Sequence, residues 1–216
     1  MTTIEGVPAP RNLGLSLRER SILLRYRTPR ALQAYINAIP INHEPDGDTC
    51  YTVHDVLRHR RAHCIEAALV AACTLWLHGE APLLLDMRAR RDWDHVVALY
   101  RRGGFWGAIS KSNHVQLRGR DPVYRSLREL ALSYFHEYHN KHGEKSLREY
   151  SRAFDLRTLD PAQWVNGDSG AWEVERRLDL VHHYPLFPSA QARYVTRIDP
   201  MEWKAKRLLE YSEPKR

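Results

Sequence analysis

The sequence has no run approaching the roughly 20 apolar residues that a membrane-crossing helix needs, so a spanning protein is not expected. Cysteine is scarce: Cys50, Cys64 and Cys73 are the three. An odd count without a Cys-x-x-Cys pair argues against a disulfide framework and against a thiolate zinc site. There is no Gly-x-Ser-x-Gly elbow. The Asp-Ser-Gly of NGDSGAW (166–172) therefore reads as a loop and helix cap rather than a serine nucleophile. Internal repeats and low-complexity tracts are absent, which excludes solenoid and linker architectures. The opening MTTIEGVPAPRN lacks an apolar signal core, so a cytoplasmic location is the expectation.

The 216 residues are 43% hydrophobic and 27% charged, as in one folded soluble domain, or one domain with an appendage. That length buries a sizeable core. The net charge of +7 suits an anionic substrate or an acidic partner. No nucleic-acid motif or aromatic platform accompanies it, so nucleic acid is not an expected partner.

Periodicity predicts helices over 15–27, over 31–39 with Pro29 at the first turn, and over 51–61. Residues 64–77 are apolar almost all round, which predicts a helix buried in the domain centre and closed by Gly79. A strand is predicted over 81–89. A hairpin follows, with arms at 95–101 and 105–110 around Gly103-Gly104. A long amphipathic helix is predicted over 123–139. Beyond Gly143 the pattern weakens to a strand or loop and two helical segments. The order predicts an α+β fold: N-terminal helices to residue 50, a core over 51–122, and a helical extension over 123–216 packed on the same domain.

Cys64 is the residue on which chemistry can turn. At the first turn of the buried helix, unpaired backbone N–H groups and the helix dipole favour its thiolate. Arg60, Arg61 and His63 add positive potential. The same N–H groups can hold an oxyanion. His95, at the start of the hairpin, is the candidate imidazole. Hairpin pairing places Ser110 about opposite it, with Asn113 just beyond. The bland alternative is that Cys64 is one more small buried residue, as Cys73 is read to be.

AHCIEAALVAACTLWLHGEAPLLLD followed by DHVVALYRRGGFWGAIS resembles the transglutaminase-like superfamily of papain-fold cysteine enzymes, over roughly residues 50–122. The resemblance implies a buried central helix on a small antiparallel sheet, with Cys64 as nucleophile and His95 as general base and acid. It implies cysteine-protease, amidase or acyltransferase chemistry through a thioester. The family's aspartate falls at about Ser110, and no acid lies between His95 and Asp121. Ser110, Asn113 or a folded-back Asp121 is therefore the expected orienting residue. A member that has lost catalysis would instead bind a peptide or protein in the same cleft.

Twelve histidines require a metal site to be considered. His59 and His63 share a helix face and could join His54 or Cys64, but HEYHNKH has the wrong spacing for a zinc helix. No metal or cofactor is assigned. Several residues of the basic runs RHRR (58–61) and RARR (88–91), with Arg101, Arg102, Lys111, Arg118 and Arg120, are expected to rim the cleft; the alternative is that they lie on solvated loop and helix faces. At the rim they would attract an acidic peptide, protein or small amide substrate.

Overall fold

The computed structural model describes residues 6–8, 10, 12–45 and 47–212. Three short helices come first: α1 (Leu17–Leu24), α2 (Pro29–Ala38) and α3 (Val53–His59). Each starts where a hydroxyl caps it: Ser16 accepts from the Glu19 N–H, Thr28 from Ala31 and Thr52 from Asp55. Helix α4 (Cys64–Leu77) follows, with every residue buried except Cys64 and Trp76. Its alanines let other elements approach on all sides, and α1, α2, α3 and the sheet all do. The C-terminus closes in a Schellman turn, with Glu80 N–H donating to Leu75 and Gly79 N–H to Trp76.

Gly79 has φ +83°, and a Cβ there would sit 3.3 Å from the Val7 carbonyl oxygen. Gly79→Ala is expected to cost about 1–2 kcal/mol from the left-handed backbone alone. Differential scanning calorimetry should show a Tm lower by ~2–8 °C.

Seven strands form one antiparallel sheet. They are β1 (Leu83–Ala89), β2 (His95–Arg102), β3 (Phe105–Ile109), β4 (Arg120–Tyr124), β5 (Leu147–Ser151), β6 (Phe154–Asp155) and β7 (His183–Pro185). The order is β4-β3-β2-β1-β5-β7, with β6 also on β1. Alternation divides the core. Leu84, Val96, Ala98 and Tyr100 face α4, while Leu83, Leu85, Met87, Val97 and Leu99 face α5 (Leu127–Phe135). Helix α6 (Trp172–Leu180) joins the α4 side through Val174 and Leu178, and α7 (Pro200–Lys206) lies near the end of the chain. No described helix is long and apolar enough to cross a membrane.

The α+β expectation holds at this level, with a larger sheet than expected. The C-terminal third departs from its expectation. It supplies β5, β6 and β7 to the same sheet, so it is not a helical extension. The predicted helix over 123–139 is shorter at both ends. Val123 and Tyr124 belong to β4, and the helix begins only after Ser126, whose hydroxyl caps Glu129. The helical spacing of Val123 is therefore a strand residue falling by chance in register with a helix.

Candidate active site

Cys64 is the first residue of α4, so its backbone N–H has no acceptor one turn back within the helix. Cys64 is half-buried as a residue and lines two cavities, one on each side of it. Burial works against its ionisation. Hydrogen bonds with His63 and His95, and the charges of those imidazoles, override that and hold its pKa well below the ordinary thiol value. Cys73 lies deep in α4, and burial pushes its thiol up to about 12. Burial, reinforced by nearby acids, also pushes the Cys50 thiol far up. Of the three cysteines, Cys64 alone sits where a thiolate is favoured.

His95 opens β2. It shares the parity of Val97 and Leu99, so its ring packs against Tyr134 and Tyr138, with centroids 6.0 and 6.4 Å away. Its place at the strand end lets it also reach Cys64. Its Nε2 lies 2.7 Å from Ser110 Oγ and 3.0 Å from the Leu117 carbonyl oxygen. A carbonyl can only accept, so Nε2 carries the proton. Ser110 Oγ in turn donates to Leu117 O at 3.0 Å, so it accepts from the ring. In the neutral ring this fixes the tautomer and leaves Nδ1 with the free lone pair. The hairpin register pairs Arg102 with Phe105 and Ala98 with Ile109, which continued would set Ser110 opposite Val97. Ser110 therefore reaches His95 diagonally, from the same face.

The second imidazole is the part that sequence reasoning undervalued. His63 Nε2 lies 3.0 Å from Thr49 O and 3.2 Å from Glu66 Oε1, with Glu44 Oε1 at 3.6 Å. Glu66 is wholly buried. It accepts from Thr49 Oγ1 at 2.7 Å, Tyr51 N–H at 2.9 Å and His63 N–H at 2.8 Å, and Asn42 approaches both its oxygens. Burial raises its pKa, but His63 and the backbone donors outweigh this and bring it down to about 2. Burial likewise disfavours the His63 cation, yet Cys64 and Glu66 push its pKa up to about 11. The sulfur thus sits beside a fixed imidazolium. The signal was in the sequence: Glu66 is the one charge in an otherwise apolar helix, three residues beyond His63.

Asn113 is not the orienting residue. Its amide donates to Tyr211 O at 2.9 Å and accepts from Tyr211 N–H at 2.8 Å, pinning the segment that follows α7 beside the cleft. Asp121 lies exposed in β4 and makes no hydrogen bond to His95. The orienting contacts come instead from Ser110 and from the Leu117 carbonyl, a backbone group with no side-chain signature. His54, His59 and His63 do not converge: His54 pairs with Glu19 at 2.6 Å, and His59 stacks on Tyr51.

The expected basic rim is also overturned. Arg102 pairs with Glu80 at 2.7 Å, Arg88 with Asp86 and Asp179, and Arg118 with Glu210. Arg101 lies over Trp106, and Arg120 over Tyr134 at 3.8 Å. Arg58 and Arg60 line a separate cavity against α1 and α2. Of the expected residues only Lys111 lines a cavity shared with Cys64. Its Nζ is occupied by the Asn37 carbonyl at 3.1 Å, with Glu210 at 3.7 Å. These cations neutralise acids or cover aromatic rings, Arg88 doing so at two carboxylates of the cleft itself, which a count of charges along the chain does not reveal.

No model of a known protein family matches this sequence, and no curated protein matches it.

Proposed function

We propose that the protein is a transglutaminase-like cysteine hydrolase or acyltransferase acting on an amide or ester bond through a thioester on Cys64. One observation carries the reading: an imidazole held by Ser110 and Leu117 as its Nε2–H tautomer, with its other nitrogen free for a thiol at a helix start. The papain-like assignment of the fold belongs to the same proposal. It is supported by the central helix, the antiparallel sheet and the chain order of cysteine, then histidine, then the orienting serine.

The thiolate attacks the carbonyl carbon, forming a C–S bond. The developing oxyanion is met by the Cys64 N–H at the positive end of α4. His95, protonated at Nδ1, gives that proton to the leaving amine or alkoxide as the C–N or C–O bond breaks. Water or an amine then attacks the thioester, His95 takes its proton, and the thiolate leaves. The Ser110 hydroxyl and the Leu117 carbonyl dipole replace a carboxylate in steadying the imidazolium.

The test is acylation by p-nitrophenyl acetate, read by nitrophenolate release and by mass spectrometry of the peptides. The expected result is an acetyl group on Cys64 that neutral hydroxylamine removes. No adduct at Cys64, or one formed no faster than in denatured protein, would remove the proposal. Ser110→Ala should lower the acylation rate about 2- to 13-fold, as expected for one neutral hydrogen bond worth about 0.5–1.5 kcal/mol. The Leu117 carbonyl still accepts from His95 in that variant.

A further inference from the structure

The cavity on the His63 side of Cys64, about 690 Å³, is lined by acids rather than the expected arginines. Asp86 and Asp179 in it are matched by Arg88, and Asp86 also by His183. Asp48, Asp92, Asp94 and Glu175 line the same space and form no ion pair among the described residues. The imidazolium of His63 does not balance them, because its charge is taken up by Glu66 and by the thiolate. Burial and neighbouring acids raise the pKa of both Asp94 and Glu175, as like charges in one groove do. Two indoles border this space: Trp93 is 88% exposed and Trp172 43% exposed, so each offers a ring face to a cation.

The smaller cavity, about 210 Å³, meets the first at Cys64, Asp92, Trp93 and Asp94, and it points the same way for an independent reason. His139 lines it and is 7% exposed. Its Nε2 donates to the His136 carbonyl at 2.7 Å, so Nδ1 is an acceptor, and it is buried without a donor. Gln116 lines it too. Its amide nitrogen donates to Ala205 O at 3.2 Å, and its Oε1 is likewise buried without a donor. The lysines at this cavity donate elsewhere, Lys206 Nζ to the His139 carbonyl and Lys111 Nζ to that of Asn37, and neither reaches these two acceptors. Acceptors left without donors cost free energy until a donor arrives.

We infer that the acyl substrate of Cys64 carries an ammonium or guanidinium group, held by the carboxylates flanking the thiol and by the unpartnered acceptors His139 Nδ1 and Gln116 Oε1. A cationic hydrogen-bond donor satisfies both cavities at once, whereas an acidic substrate satisfies neither. The inference rests on Cys64 being the reactive thiol of the proposed function.

The test uses charged thiol reagents on the full chain: cationic aminoethyl methanethiosulfonate and anionic sulfonatoethyl methanethiosulfonate. Each rate is divided by the rate of the same reagent with mercaptoethanol, and Cys64→Ala supplies the background. At low salt the normalised cation-to-anion ratio at Cys64 is expected to exceed 1 by about tenfold or more, and to shrink toward 1 in 0.5 M salt. Asp48 and Glu175 form no ion pair among the described residues, so the double variant Asp48→Asn/Glu175→Gln should fold as wild type. It should reduce the ratio by about threefold, as expected for the loss of two charges at solvent-screened range. A ratio of 1 or below in wild type overturns the inference, as does a ratio indifferent to salt and to the double variant. Neutral iodoacetamide separates the two levels. Rapid alkylation of Cys64 with no charge preference removes the substrate class alone, while ordinary thiol reactivity removes the proposed function beneath it.

Discussion

His95→Ala is expected to reduce acylation of Cys64 by about 10²- to 10⁴-fold, the usual contribution of a positioned acid–base group. Turnover of the thioester should fall by a similar factor, because His95 both delivers a proton to the leaving group and removes one from the attacking water. Stopped-flow nitrophenolate release separates the two phases. The variant also isolates the other imidazole. His63 stays beside the sulfur with its charge held by Glu66, so some thiolate character should survive when the base is gone. Alkylation by iodoacetamide needs a thiolate but no proton delivery, so it should fall much less than acylation. Equal losses in both reactions would mean that His95 acts only by lowering the thiol pKa.

Glu66→Gln is expected to have the largest effect on stability. The carboxylate is wholly buried, and its partners are Thr49, Asn42, the Tyr51 and His63 backbone N–H groups and the His63 ring. Removing one member of a buried ion pair costs roughly 3–5 kcal/mol, because the other charge is left unmatched. Glutamine also brings a donor to a pocket made almost entirely of donors. Urea denaturation should show the loss directly. His63 should then give up its proton more readily, and the Cys64 pKa should rise. The pH dependence of the wild type follows from the same pair. The His63 pKa is raised to about 11, so its contribution is full below the ordinary value of 6.5 and fades as pH climbs toward 11. The Glu66 pKa is lowered to about 2, so its contribution is full above 4.5 and fades as pH falls toward 2. The pair therefore supports the fold most fully between about pH 4.5 and 6.5. Glu66→Gln should flatten the loss on both sides of that window.

Local features of the sequence positioned the reacting groups well. The apolar stretch from Ile65 to Leu77 could only be a buried helix, Gly79 marked its end, and Gly103-Gly104 marked the hairpin that brings Ser110 back toward His95. What was hidden depended on partners distant in the chain. Asn113 looked free until Tyr211, 98 residues on, took both its hydrogen-bonding groups. Arg88 looked like part of a basic rim, but Asp179 returns from α6 to meet it. The Leu117 carbonyl carries no residue-type signal at all. β7 was illegible because HYP is too brief to show alternation, and β5, the five residues LREYS, was legible only as a strand or loop.

The most direct measurement is the rate of Cys64 alkylation by iodoacetamide as a function of pH, with site occupancy read by mass spectrometry. The expected profile has its midpoint well below the ordinary thiol value of 9.0, and His63→Ala shifts that midpoint upward. A rate that climbs tenfold per pH unit up to about 9, with Cys64 no faster than a free thiol, would contradict the account.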